Sequence, residues 1–171
     1  GRGPTPLSGN NNYTGGTHLV DGTLSLGSSG AIGTAGPIYF LGGTLQYSAS
    51  NTTDYSSRIE AYADCRIDTN GQNVTFASPL MVFSTLTKLG SGSLVLTADN
   101  TYTDSTVVNA GRLLVNNTSG SVTGTGAIAV NSGGTLGGTG SISGAVTVNS
   151  GGHLAPGASV DSLYVGSLVL N

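Results

Sequence analysis

Residues 126–136 and residues 144–154 have nearly the same sequence, and this short repeat constrains the fold more than any other feature. The first segment reads GAIAVNSGGTL and the second reads GAVTVNSGGHL. Aliphatic residues alternate with small or polar ones and are followed by Asn-Ser-Gly-Gly, which is typical of a short strand and a turn. Because so short a unit cannot bury a core alone, we expect successive units to stack as turns of a solenoid.

Stacking predicts a column of aliphatic side chains, each about 4.8 Å from its counterpart in a parallel sheet. The predicted core column is made of four pairs, one turn apart: Ile128 with Val146, Val130 with Val148, Leu136 with Leu154, and Ile142 with Val160. Asn131 lies over Asn149, which predicts a ladder of side-chain hydrogen bonds. At about 18–22 residues a turn, the 171 residues predict an all-β, parallel β-solenoid of roughly eight or nine turns.

A longer repeat overlies the short one. Residues 11–24 read NNYTGGTHLVDGTL, and residues 100–113 read NTYTDSTVVNAGRL. We therefore expect a single domain, residues 1–171, made of about two long repeats, 7–87 and 96–171. Residues 47–87 are less regular, and we expect larger turns or a protruding loop there.

The composition excludes several classes of protein. Only 8% of the residues are charged and the formal net charge is −3, so the chain cannot neutralise a row of nucleic-acid phosphates. No apolar run approaches the ~20 residues of a membrane span, so we expect no membrane insertion. Cys65 is the single cysteine and is expected to be a small buried residue.

Several motifs together resemble the autotransporter-associated β-strand repeat. They include residues 86–96, LTKLGSGSLVL, followed by residues 100–103, NTYT, and residues 108–113, VNAGRL. The resemblance implies a right-handed parallel β-helix in secreted or surface proteins of bacteria, often as the stalk of a passenger domain. It names no catalytic residues.

The residues give little support to catalysis, and we expect neither a metal nor a cofactor. The two histidines, His18 and His153, have no recognisable catalytic partners. Glu60, Asp64 and Asp68 have even spacing, so one extended strand would place them on one side as a glycan-binding or glycan-cleaving face. The alternative is a solvated polar face. Four tyrosines are candidates either for a sugar-stacking strip or for ordinary packing: Tyr39, Tyr47, Tyr55 and Tyr62.

The C-terminal residues are apolar and strand-like, and neither end has a predicted capping helix. Because an uncapped solenoid leaves N–H and C=O groups unpaired, we expect either that the chain is a piece of a longer array or that it associates with other copies, by axial stacking or strand addition. The predicted assembly residues are Leu163, Val165, Leu168 and Leu170.

These features predict a non-enzymatic, secreted or cell-surface structural protein of bacteria, a rigid rod that assembles end to end into a filament or matrix. Two alternatives stay open. One is an adhesin or autotransporter passenger fragment that binds glycans or host surfaces, and the other is a polysaccharide-cleaving β-helix enzyme.

Overall fold

The computed structural model describes residues 3–157 and 162–171, and within them the chain is built of short strands. Apart from one 3-10 helix at Ser56–Arg58, the elements are eighteen strands, in chain order: β1 Thr5–Leu7, β2 Thr17–Leu19, β3 Thr23–Leu26, β4 Ile38–Phe40, β5 Thr44–Gln46, β6 Ile59–Ala61, β7 Cys65–Asp68, β8 Asn73–Phe76, β9 Met81–Val82, β10 Leu86–Leu89, β11 Ser93–Leu96, β12 Thr106–Val108, β13 Gly111–Val115, β14 Ile128–Val130, β15 Gly134–Gly138, β16 Ser141–Val148, β17 His153–Pro156 and β18 Tyr164–Leu170. Over the same ranges, no helix has the length and hydrophobicity needed to cross a membrane.

The strands pair only in parallel and form three sheets, which we call faces A, B and C. Face A has nine strands in the order β1-β3-β5-β7-β10-β12-β14-β16-β18. Face B has the order β2-β4-β6-β9, and face C has the order β8-β11-β13-β15-β17. Since every strand of face A pairs with the strand one turn later, the prediction of an all-β parallel solenoid is confirmed, with about eight turns and a length of roughly 40 Å.

Inward-pointing side chains of successive turns form one continuous core. Alternation along each strand buries every second residue, as in β8, where Val74 and Phe76 are buried and Asn73 and Thr75 are exposed. The core holds more aromatic side chains than a narrow aliphatic column would need, among them Phe40, Tyr47 and Phe76.

The length of a turn varies, and this corrects one part of the predicted column. The turn that separates the paired residues Thr44 and Arg66 is longer than the turn that separates Ile128 from Val146. Ile142 pairs with Val165, not with Val160, because the last turn is longer than the short repeat implies. Val160 itself lies outside the described residues.

Equivalent residues of the two copies of the long repeat lie on different faces of the solenoid. Leu7 lies on face A, whereas its counterpart Leu96 lies on face C; Thr17 lies on face B, and its counterpart Thr106 on face A. The two copies are not a whole number of turns apart, so the second copy is rotated by one face about the rod axis.

The segment 47–87 belongs to the regular stack. Its strands β6, β7, β8 and β9 pair with neighbouring turns in all three faces, and Cys65 pairs with Leu86 of the next turn. The turn that separates Thr44 from Arg66 is longer than the one that separates Ile128 from Val146, so the turns here are larger than the short repeat, and no protruding loop is present over these residues.

Candidate functional site

The three carboxylates expected to share a face are separated. Glu60 lies in β6 on face B, whereas Asp68 ends β7 on face A, because the chain turns a corner at residues 62–64. The three carboxylates therefore do not lie on one extended strand. The corner reads Tyr-Ala-Asp and contains no glycine or proline that would mark it in the sequence.

Each carboxylate has a local partner of its own. Tyr62 Oη donates a hydrogen bond to Glu60 Oε2 at 3.1 Å, and Arg66 Nη2 forms an ion pair with Asp64 Oδ2 at 3.1 Å. Asp68 accepts from Gln46 Nε2 at 2.8 Å. These contacts describe a compensated polar surface rather than a pair of carboxylates converging on one bond.

The four candidate tyrosines divide into two pairs. Tyr47 and Tyr55 are buried, with ring centroids 6.4 Å apart, and Tyr47 also packs against Phe76. Burial raises the pKa of Tyr47 well above its ordinary value. Tyr39 and Tyr62 instead lie on the outer surface of face B, so two of the four belong to a surface strip.

The outer surface of face B carries two columns of side chains, which we call the face-B ladder. Because the three turns that separate its four strands have the same length, equivalent positions align along the rod. The strand column is His18, Tyr39, Glu60 and Met81. The corner column, two positions further along each turn, is Val20, Leu41, Tyr62 and Phe83.

Rings of the face-B ladder contact one another along the rod axis, and one pair is stacked. The His18 and Tyr39 rings have centroids 4.7 Å apart and are tilted by 49°, whereas those of Tyr62 and Phe83 are 5.5 Å apart with an angle of 20° between their planes. The stacked Tyr62 and Phe83 rings cover one another's faces, which favours an apolar protein surface there over flat stacking with sugars. The hydrogen bond to Glu60 raises the pKa of the Tyr62 hydroxyl.

The predicted asparagine pair belongs to a longer ladder. Asn131 Nδ2 donates to Asn109 Oδ1 at 2.7 Å, and Asn149 Nδ2 donates to Asn131 Oδ1 at 2.7 Å. Asn171 Nδ2 adds a third bond, to Asn149 Oδ1 at 3.1 Å. All three amides donate toward the N-terminal end of the rod, and they line the corner that follows face A.

The described residues of the core column lie in two faces. Ile128 and Val130 pair with Val146 and Val148 on face A, which is the register that the short repeat predicts. On face C, Leu136 pairs with Leu154.

The expected assembly residues lie in or beside β18, the last strand of face A. Leu163 and Val165 are half-buried against the core. Leu168 and Leu170 pair with Val146 and Val148 and are exposed.

Lys88 was not anticipated as a special residue, yet the single lysine of the chain is buried in the core. It occupies an inward position of face A between Ile67 and Val108. Its Nζ donates to three carbonyl oxygens, of Leu89 at 2.8 Å, Gly90 at 2.7 Å and Ala110 at 3.1 Å. Burial lowers the pKa of Lys88 to about 8, while Asp68 acts in the opposite direction.

Arg58 has a similar structural role in the first half of the rod. Its guanidinium donates to the carbonyl oxygens of Ile32, Gly33, Ala35 and Gly36 at 2.7–3.1 Å. These four bonds hold the wide loop between β3 and β4 against the core, so Arg58 is not part of a charged surface site.

The two copies of the long repeat also share a side-chain contact. Tyr13 Oη and Thr17 Oγ1 are 2.9 Å apart, and Tyr102 Oη and Thr106 Oγ1 are 2.9 Å apart. The repeated residues therefore stabilise the corner that leads into a strand, on whichever face that strand lies.

The remaining reactive groups do not converge. Within residues 3–157 and 162–171, no group of three or more His, Cys, Asp and Glu side chains is placed to hold a metal ion. Cys65 is buried, as expected, and burial raises the pKa of its thiol.

Comparison with known proteins places these repeats in context. A family model described as the passenger-associated-transport-repeat matches residues 7–26 and 86–115, and the two matches overlap the first and the second copy of the long repeat. The chain is also 34% identical, over 109 residues or 63% of its length, to the adhesin BmaC autotransporter of Brucella suis biovar 1 (strain 1330). The chain spans about 3% of the length of that relative. No solved structure matches the chain.

Proposed function

Because the chain carries autotransporter-associated passenger repeats, we propose that it is a non-enzymatic stalk segment of a surface-exposed bacterial passenger protein. Its role is mechanical: the parallel ladders and the stacked core give a stiff rod, and its loops are held close to the rod. The observation that carries the proposal is the unbroken pairing of nine strands on face A along the whole rod.

Labelling of intact cells tests the surface location. Antibodies raised against this chain should label intact cells that produce the natural full-length protein, to the same extent as permeabilised cells. Labelling that appears only after permeabilisation would contradict the proposal.

The separation of the carboxylates supports the absence of glycan-cleaving activity. The chain should release no oligosaccharide from acidic or neutral polysaccharides over a long incubation. Release that disappears in Glu60→Gln or Asp64→Asn would overturn this part of the proposal.

Adhesion to host surfaces or glycans is a finer role that the relative's name suggests for a passenger of this family. Beads coated with the chain should then bind host cells or immobilised glycans better than beads coated with a protein of similar charge. Equal retention of the two kinds of bead would argue that this segment is a spacer only.

A second candidate function is end-to-end assembly into a filament. It is favoured by the apolar, exposed side chains of Leu168 and Leu170 on β18. Negative-stain microscopy of the purified chain should then show filaments that Leu168→Lys shortens. Dispersed particles of roughly 40 Å at every concentration would remove this candidate.

A further inference from the structure

The face-B ladder exposes more apolar surface than a solvated sheet face usually does. All four members of the corner column are exposed: Val20 at 62%, Leu41 at 41%, Tyr62 at 55% and Phe83 at 59% of their full accessible area. Met81, beside Phe83, is 52% exposed. Together these five side chains present roughly 500 Å² in one contiguous strip, which is a size that marks interaction surfaces on soluble proteins.

The corner column is graded in size along the rod. Its side chains grow from valine through leucine to two aromatic rings, in the direction from the first turn to the fourth. The strip is therefore thin at the N-terminal end and thick at the Phe83 end. A flat partner surface would leave a gap above the small side chains at the N-terminal end. A partner strip whose side chains increase in size in the opposite direction would fill that gap.

A second copy of the same strip, turned end for end, has the required opposite order of side-chain sizes. A twofold axis along the strand direction reverses the rod, keeps the strand direction and brings each column against itself in reverse order. Val20 then faces Phe83 of the second copy, and Leu41 faces its Tyr62. The two faces stay at a constant separation, as closely packed sheets require.

The strand column is compatible with the same arrangement. Reversal of His18, Tyr39, Glu60 and Met81 places Glu60 opposite the Tyr39 of the second copy, so a phenol meets a carboxylate and no two like charges meet. The low charge of the chain, with a formal net charge of −3, leaves little repulsion between copies.

The area agrees with a weak, specific contact. Two strips bury on the order of 1,000 Å² in total, the lower bound for a biological interface. We propose that the face-B ladder is a lateral docking surface for a second copy of this chain, in which two rods pack antiparallel through the corner columns. The proposal does not depend on the surface location or on the stalk role.

Cysteine cross-linking tests the register directly. Val20→Cys and Phe83→Cys, mixed, should be joined by a short bis-maleimide reagent at least about tenfold faster than either variant alone, since the antiparallel twofold register brings unlike positions together. Leu41→Cys and Tyr62→Cys lie beside the twofold axis, only about 4.8 Å out of register with their own counterparts, so they should cross-link both alone and mixed. All four positions are exposed, so these substitutions leave the core intact, and the buried Cys65 serves as an internal control that should not cross-link.

Two charge variants separate this contact from other associations. Leu41→Asp should reduce dimer formation in sedimentation at millimolar concentration, whereas Val169→Asp, an exposed apolar residue on β18, should leave it unchanged. Cross-linking of Val20→Cys or Phe83→Cys alone that is as fast as in their mixture would overturn the register. A chain that stays monomeric at millimolar concentration, or a dimer that Val169→Asp disrupts and Leu41→Asp does not, would overturn the docking surface.

Discussion

The buried Lys88 has two opposite effects on the stability of this fold. The three carbonyl oxygens that accept from Lys88 Nζ belong to two adjacent corners, so the ammonium group ties one turn to the next. The same burial makes the charged form costly, which is why the pKa of Lys88 is lowered.

This balance predicts a pH dependence that Lys88→Met should remove. An unfolded lysine titrates near 10.5, whereas burial lowers the pKa of Lys88 to about 8, so between these values the unfolded state binds more protons. The free energy of unfolding of the wild type should therefore rise with pH relative to that of Lys88→Met, by on the order of 2 kcal/mol between about pH 7 and 10.5.

Urea unfolding of both proteins across this pH range checks the prediction. The Cys65 thiol and the buried tyrosines, whose pKa values are raised, have the same effect on stability in both proteins and cancel in the difference. A difference that stays constant with pH would show that the ammonium group of Lys88 is not desolvated.

The sequence patterns predicted the environment of some residues and not of others, for physical reasons. The pairing of Ile128 with Val146 could be predicted because both neighbouring units have almost the same sequence. Lys88 could not, since a lysine at an alternating position ordinarily points to solvent. Leu41 and Tyr62 were missed as a column because they occupy equivalent positions of successive turns without sharing an identity.

At the scale of the element, the corners decide where the strands begin. Gly22 and Gly111 are equivalent in the long repeat and have similar backbone angles, with φ of +71° and +64°. A β-carbon at Gly22 meets nothing within 4 Å, whereas at Gly111 it lies 2.5 Å from Gly92 O and 2.6 Å from Gly90 O. The pair therefore separates backbone strain from crowding between turns.

We expect Gly22→Ala to cost about 1 kcal/mol, which is the strain of a left-handed backbone alone. Gly111→Ala should cost about 3 kcal/mol or more, because the carbonyls of the preceding corner must also move. Thermal unfolding of the two variants provides the measurement, and equal losses of stability would show that the corners are not stacked as described.

The asparagine ladder yields a second prediction at this scale. Asn131 donates to Asn109 and accepts from Asn149, so Asn131→Ala removes one exposed and one part-buried hydrogen bond and should cost about 1–2 kcal/mol. Asn12→Ala is the matched control, since Asn12 is exposed, and it should change the unfolding free energy by less than about 0.5 kcal/mol. A loss of similar size in both variants would argue against a cooperative ladder.

The carboxylates show why elements were harder to predict than the fold. Even spacing placed Glu60 and Asp68 on one strand, but the stack imposes a corner between them at the same place in every turn. Because residues 62–64 lack the usual turn residues, only the spacing of neighbouring turns could have revealed that corner.

At the scale of the whole molecule, the long repeat explains how one motif can serve different faces. The two copies are not a whole number of turns apart, so Thr17 lies on face B and the equivalent Thr106 lies on face A. The contact between the tyrosine and threonine hydroxyls is present in both copies. The fold class followed from short repeats alone, but this rotation could not, since it depends on the sum of turn lengths that vary along the rod.

The rotation also limits the exposed ladder to one end of the rod. Face B ends at β9, and the next turn places the loop around Tyr102 there instead of a strand. The rod therefore has two chemically different halves, with an aromatic surface in the first and an asparagine row in the second.

The central claim is that equivalent side chains of successive turns lie directly above one another. Methyl–methyl nuclear Overhauser effects in protein with labelled valine, leucine and isoleucine methyl groups test it most directly. The account predicts cross-peaks between Val130 and Val148, between Ile128 and Val146 and between Leu136 and Leu154. Absence of these cross-peaks, together with contacts typical of antiparallel hairpins within residues 126–154, would contradict it.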